Sequence, residues 1–110
     1  MNGPFALTRT VIDREVTRIS PGAYELLMSY SGPVKYVGRS DDDLNARLKQ
    51  WVGDKYSYFE FEYCSSPKAA FEKECTLYHY HGGSEKLDNE IHPQRPANSD
   101  WQCPKCGIFR

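Results

Sequence analysis

The chain reads as an α+β protein, with a small three-stranded antiparallel sheet flanked by helices and an irregular C-terminal tail. Three observations carry that reading. Two β-rich runs are joined by a Ser-Gly-Pro turn, a third run alternates at period two, and two helices are announced by capping residues.

In chain order, residues 1–20 are polar and weakly patterned, with Val11, Ile12, Val16 and Ile19 as the recurrent apolar positions, and no regular element is assigned to them. Ser20-Pro21-Gly22 then breaks the chain. From Gly22 the run Ala-Tyr-Glu-Leu-Leu-Met-Ser-Tyr is strand-like, Ser31-Gly32-Pro33 turns it, and Val34-Lys35-Tyr36-Val37 returns as a second strand that ends at Gly38. Ser40 with Asp43 forms a capping box, and Asp41 and Asp42 fall where the helix dipole favours anions. These signals predict a helix over 41–52, ended by Gly53 in the left-handed conformation. Residues 57–64 put Phe59, Phe61 and Tyr63 on one side and Tyr58, Glu60 and Glu62 on the other, which is a third strand. Ser66-Pro67 opens a second helix, because proline at the first helical position gives up no hydrogen bond. That helix runs to about His81 and stops at Gly82-Gly83, after which Pro93, Pro96 and Pro104 break up residues 84–110.

A length of 110 residues supports one packed domain, 1–110. No apolar run approaches the roughly 18–20 residues a bilayer requires, and the first twenty residues lack a secretory hydrophobic core. The expectation is a cytoplasmic protein without a membrane partner. With 14 basic against 15 acidic residues, bulk positive charge is excluded as a means of gripping nucleic acid. Any phosphate-binding surface must be local.

On the first helix Leu44, Leu48 and Trp51 share a stripe, and Arg47 falls inside it. The second helix places Glu74 among Ala70, Phe71, Leu77 and Tyr78 in the same way. An isolated buried charge costs several kcal/mol or more, so each of these residues needs a partner, a metal or a wet cleft. Either Arg47 and Glu74 pair with each other, or they form a phosphodiester site. In the second case Arg47 binds a phosphate oxygen and Glu74 holds a hard divalent cation. Tyr24 and Tyr36 lie on facing arms of the hairpin, Gly38 lets backbone approach a ligand, and Arg39 follows it.

Taken together, Gly22-Ala23-Tyr24, Tyr36-Val37-Gly38, Arg47, Glu74 and Asn89 resemble the GIY-YIG endonuclease domain of homing endonucleases, some restriction enzymes and the excision-repair nuclease subunit. The resemblance spans residues 20–92. It implies a three-stranded sheet flanked by helices and single-metal hydrolysis of a phosphodiester in DNA. By position, Glu74 would ligate Mg²⁺ or Mn²⁺ and Arg47 would stabilise charge on the scissile phosphate. Tyr24 would help activate the attacking water, Tyr36 would position substrate or water, and Asn89 would brace the site. Two positions depart from the pattern. Ala23 replaces a branched residue, and Trp51 stands one turn after Arg47, where family members often carry His or Tyr. Any proton transfer belonging to that position would fall to Tyr56, Tyr58 or His81.

Cys103-Pro-Lys-Cys106-Gly has the form of a zinc knuckle, which would hold residues 93–110 against the core. Cys75 and His79 are four apart on the second helix and share a face, so Cys75, His79, Cys103 and Cys106 make the preferred ligand set. In the alternative set, His92 replaces one helix ligand. Without zinc, Cys103 and Cys106 would pair as a disulfide and Cys75 would be a core thiol.

Near the site, Arg39 and Lys49 are the expected phosphate contacts, with a dimer or partner protein extending so neutral a surface. Two functions follow. One is a metal-dependent endonuclease acting on DNA, branched or damaged substrates included. The other is a zinc-stabilised nucleic-acid or protein interaction module that keeps a nuclease-like fold without turnover.

Overall fold

The computed structural model describes residues 1–109, so Arg110, the last residue of the expected tail, lies outside the described residues. Its elements are β1 (Asn2–Ala6), α1 (Arg9–Glu15), β2 (Gly22–Leu27), β3 (Val34–Ser40), α2 (Leu44–Lys49), β4 (Tyr58–Tyr63), α3 (Pro67–Tyr80) and a short 3-10 turn at Gly83–Glu85. The α+β class holds, but the sheet has four strands in the order β1-β4-β2-β3, all neighbours antiparallel.

The additional strand and the additional helix both come from residues 1–20. β1 contains Pro4, which cannot donate to a ladder, and it lies at the sheet edge with its register shifted between Asn2 and Phe5. α1 has seven residues, capped by Thr8, whose hydroxyl accepts from the Val11 N–H at 3.2 Å. Ile12 is its buried anchor, and Val16, which caps its C-terminus, is buried beside it.

Central β2 pairs with β3 on one side, Tyr24 opposite Gly38, and with β4 on the other, Tyr24 opposite Phe61. Alternation along β2 divides the interior. Tyr24 and Leu26 join Phe59, Phe61, Leu44, Leu48, Ile12 and Val16 under α1 and α2. Ala23 joins Val37, Leu77 and Tyr78 under α3. Burying each large apolar side chain contributes about 1.5–3 kcal/mol.

β3 extends through Ser40, so the helix predicted over 41–52 starts later and is shorter. Ser40 lies opposite Gly22 in the sheet, and its hydroxyl accepts from the Asp43 N–H at 2.9 Å within the turn. The capping residue of α2 is Asp43, which accepts from the Ala46 N–H at 3.2 Å. After Lys49 the chain tightens into i→i−3 turns through Trp51 and Val52, and Gly53 takes φ +91° as expected. α3 follows its signals, with Ser66 accepting from the Ala69 N–H at 3.0 Å, Pro67 in the first turn, and Gly82 at φ +93° beyond the end.

The outer edge of β3 is covered by a side chain. The Val37 N–H donates to Asn89 Oδ1 at 3.0 Å, and Asn89 Nδ2 donates back to the Val37 carbonyl at 2.8 Å. The tail packs on α3 through Phe71, Cys75 and Cys103, joined by Trp101, Cys106 and Phe109. Among the described residues, no helix is long and apolar enough to cross a membrane.

Candidate functional site

At the β3 edge, where the two faces of the sheet meet, lies a cavity of about 430 Å³ lined by Tyr24, Tyr36, Gly38 and Gln94 and by the charged residues Arg39, Asp41, Asp42, Arg47 and Glu74. A second, of about 380 Å³, shares Tyr36 and Glu74 with it and adds Asn89 and His92. Tyr24 arrives from β2 by crossing over Gly38, where any Cβ would collide with the Tyr24 ring and hydroxyl. Gly38→Ala is therefore expected to cost about 1–3 kcal/mol by overpacking and to push the phenol out of the cleft. A denaturant midpoint unchanged from wild type would show that the contact is not tight.

Burial pushes the Tyr24 phenol well above its ordinary range, although the Trp51 indole N–H donates to its oxygen at 2.8 Å. Tyr36 is raised as well, first by burial and then by the negative charge of Glu74, and its ring packs on Trp51 with centroids 4.6 Å apart. Both phenols are thus protonated at neutral pH.

Glu74, 8% exposed, does not pair with Arg47. Its Oε1 accepts from Arg39 Nη1 at 2.6 Å. Arg39 also donates to Asp41 at 2.8 Å and to the Gln94 carbonyl at 2.8 Å, and its guanidinium lies over the Phe71 ring. Arg39, expected on a phosphate, is thereby committed inside the protein. Burial raises the Glu74 carboxyl and Arg39 opposes the shift.

Arg47 is exposed at the cleft rim and not in a buried stripe, because α2 has only six residues and Leu44 and Leu48 alone turn inward. Among the described residues it forms no ion pair. Lys49 is not brought to the cleft: it pairs with Asp13 of α1 at 2.6 Å, a partner on an element the sequence had left unassigned. Asn89 borders the second cavity while holding β3.

A second cluster gathers His79 from α3 with His92, Cys103 and Cys106 from the tail, their donor atoms all within 4.8 Å of one another. His79 Nε2 is 3.2 Å from His92 Nε2, which is 3.4 Å from Cys106 Sγ. His92 Nδ1 lies 2.8 Å from the Pro93 carbonyl, a contact that directs Nε2 at the cluster. Burial and neighbouring His92 keep His79 below its ordinary value, favouring the neutral ring a metal needs. Two imidazoles and two sulfurs suit tetrahedral zinc.

Cys75 is not in this set, which corrects the preferred ligand group in favour of His92. One turn before His79, it faces the Phe71 and Cys103 core, where burial pushes its thiol upward and disfavours the thiolate a metal would bind. No disulfide joins Cys103 and Cys106; all four cysteines are free.

Comparison with protein-family models, curated proteins and solved structures finds no match to this chain.

Proposed function

We propose that the protein is a GIY-YIG-type endonuclease that hydrolyses phosphodiester bonds in DNA with one divalent cation, Mg²⁺ or Mn²⁺. The observation that carries this reading is the convergence of Tyr24, Tyr36, Arg47 and Glu74, from both sides of the β3 edge, on one polar cavity. Glu74 shares the cavity wall with Asp41 and Asp42, carboxylates with waters suit a hard cation, and Arg39 engages only one oxygen of Glu74. When bound, the cation would acidify a coordinated water and neutralise charge on the phosphate.

The chain's own groups do the rest. Arg47, free at the rim, presents a planar fork to the phosphate oxygens. Tyr24 and Tyr36 bind substrate or water as hydrogen-bonding phenols, and Asn89 holds the strand that carries Tyr36. Zinc at His79, His92, Cys103 and Cys106 would fasten the tail, and with it Gln94, beside Arg39. Free thiols suit a reducing cytoplasm. With so little net positive charge, binding is expected to need a second copy or a partner protein to extend the surface.

The ion pair between Arg39 and Glu74 favours a second reading, a zinc-stabilised interaction module without turnover. The purified 110-residue chain incubated with single-stranded, duplex and branched DNA, with Mg²⁺ or Mn²⁺ and with chelator, separates the two. The nuclease reading expects cation-dependent cleavage of at least one substrate. No cleavage of any of them, or cleavage indifferent to the cation, overturns it.

A further inference from the structure

We propose that Trp51 is a positioning residue that makes Tyr24 a hydrogen-bond donor to a phosphodiester oxygen in the cleft, an inference that rests on the nuclease reading above. The indole N–H can only donate, so its 2.8 Å contact occupies acceptor capacity on the Tyr24 oxygen and sends the phenolic proton elsewhere. Among the described residues, no protein acceptor takes that proton. Tyr24 lines the cleft with Arg47, so the free direction is toward a ligand there. The ligand must present an acceptor, as a phosphate oxygen does, and Arg47 calls for the same chemistry.

Trp51 is itself held. Its ring packs on Tyr36 at 4.6 Å and edge-on to Tyr56 at 5.7 Å, and the Tyr56 hydroxyl donates to Asp88 at 2.8 Å. Lys55 reaches the same carboxylate oxygen at 3.1 Å. The indole is thereby restrained from swinging away, and the phenol below it is confined by Gly38. A histidine or tyrosine in this place could also accept a proton. Tryptophan cannot, so the direction of the bond is set.

The test compares wild type with Trp51→Phe, which keeps a ring against Tyr36 and Tyr56 but has no N–H. Protein labelled with ¹³Cζ-tyrosine is titrated with dimethyl phosphate, and the Tyr24 resonance is identified by its loss in Tyr24→Phe. The expected result is a Tyr24 shift in wild type that is absent or strongly reduced in Trp51→Phe. On DNA, Trp51→Phe is expected to lower kcat about tenfold, with KM little changed, as for loss of one oriented hydrogen bond. Trp51→His, which restores a ring N–H, is expected to recover part of both responses and serves if the phenylalanine variant does not fold. Equal Tyr24 shifts in wild type and Trp51→Phe overturn the assignment even if DNA is cleaved. A Trp51-dependent shift without any DNA cleavage keeps the assignment and rejects the nuclease.

Discussion

Replacing Glu74 by alanine is expected to lower DNA cleavage by at least about 10³-fold, since in the proposed nuclease a cation on that carboxylate would supply several kcal/mol of transition-state stabilisation. The fold should survive. Arg39 keeps Asp41 and the Gln94 carbonyl as partners and its stacking on Phe71 when Glu74 is removed. Glu74→Gln keeps the shape and a carbonyl oxygen for Arg39 but removes the charge, and it is expected to fail as severely. Rates at saturating Mn²⁺, measured beside far-UV spectra of both variants, give the comparison. Cleavage equal to wild type would place the chemistry elsewhere or in a contaminant.

Stripping zinc is expected to have the largest effect on stability. Residues 93–109 bring Trp101, Cys103 and Phe109 against α3, but Ile108 is exposed, and so small an apolar surface cannot order the segment alone. A structural zinc can contribute on the order of 10 kcal/mol to a small site. Metal analysis should find about one zinc per chain, and chelation or Cys106→Ser should lower Tm by on the order of 40 °C. The released tail would also take the Gln94 carbonyl from Arg39, so cleft and clasp should fail together. Unchanged melting after complete chelation would remove the clasp.

Much of this was legible in the residues. Phe59, Phe61 and Tyr63 alternate plainly enough to locate β4, and Ser66-Pro67 with Gly82 bracket α3 closely. The first twenty residues were opaque because α1 is too short for a helical period to register. β1, meanwhile, carries a proline that counts against a strand until β4 is seen beside it. α2 was overextended because Ser40 and Asp43 are both good caps, and sheet pairing decides between them.

In the cleft, Tyr24, Tyr36, Arg47 and Glu74 could be picked out from motif order. The partner of Glu74 could not. Arg39 and Arg47 both lie far from Glu74 along the chain, so spacing favours neither, and only the path of β3 past the helix selects Arg39. The candidate metal ligands divide likewise. Cys103 and Cys106 follow from their spacing, whereas Cys75 and His79 share a helical face, and the choice of His79 with His92 depends on where the tail crosses α3.

Asn89 has a bearing beyond the cleft. By offering Val37 one acceptor and one donor, its amide imitates a fifth strand in miniature, and Pro4 removes one N–H from β1 at the opposite margin. Open margins are where sheets from separate molecules zip together into aggregates. Here each is interrupted at one position, which disfavours a second copy that continues the sheet and favours assembly through side chains.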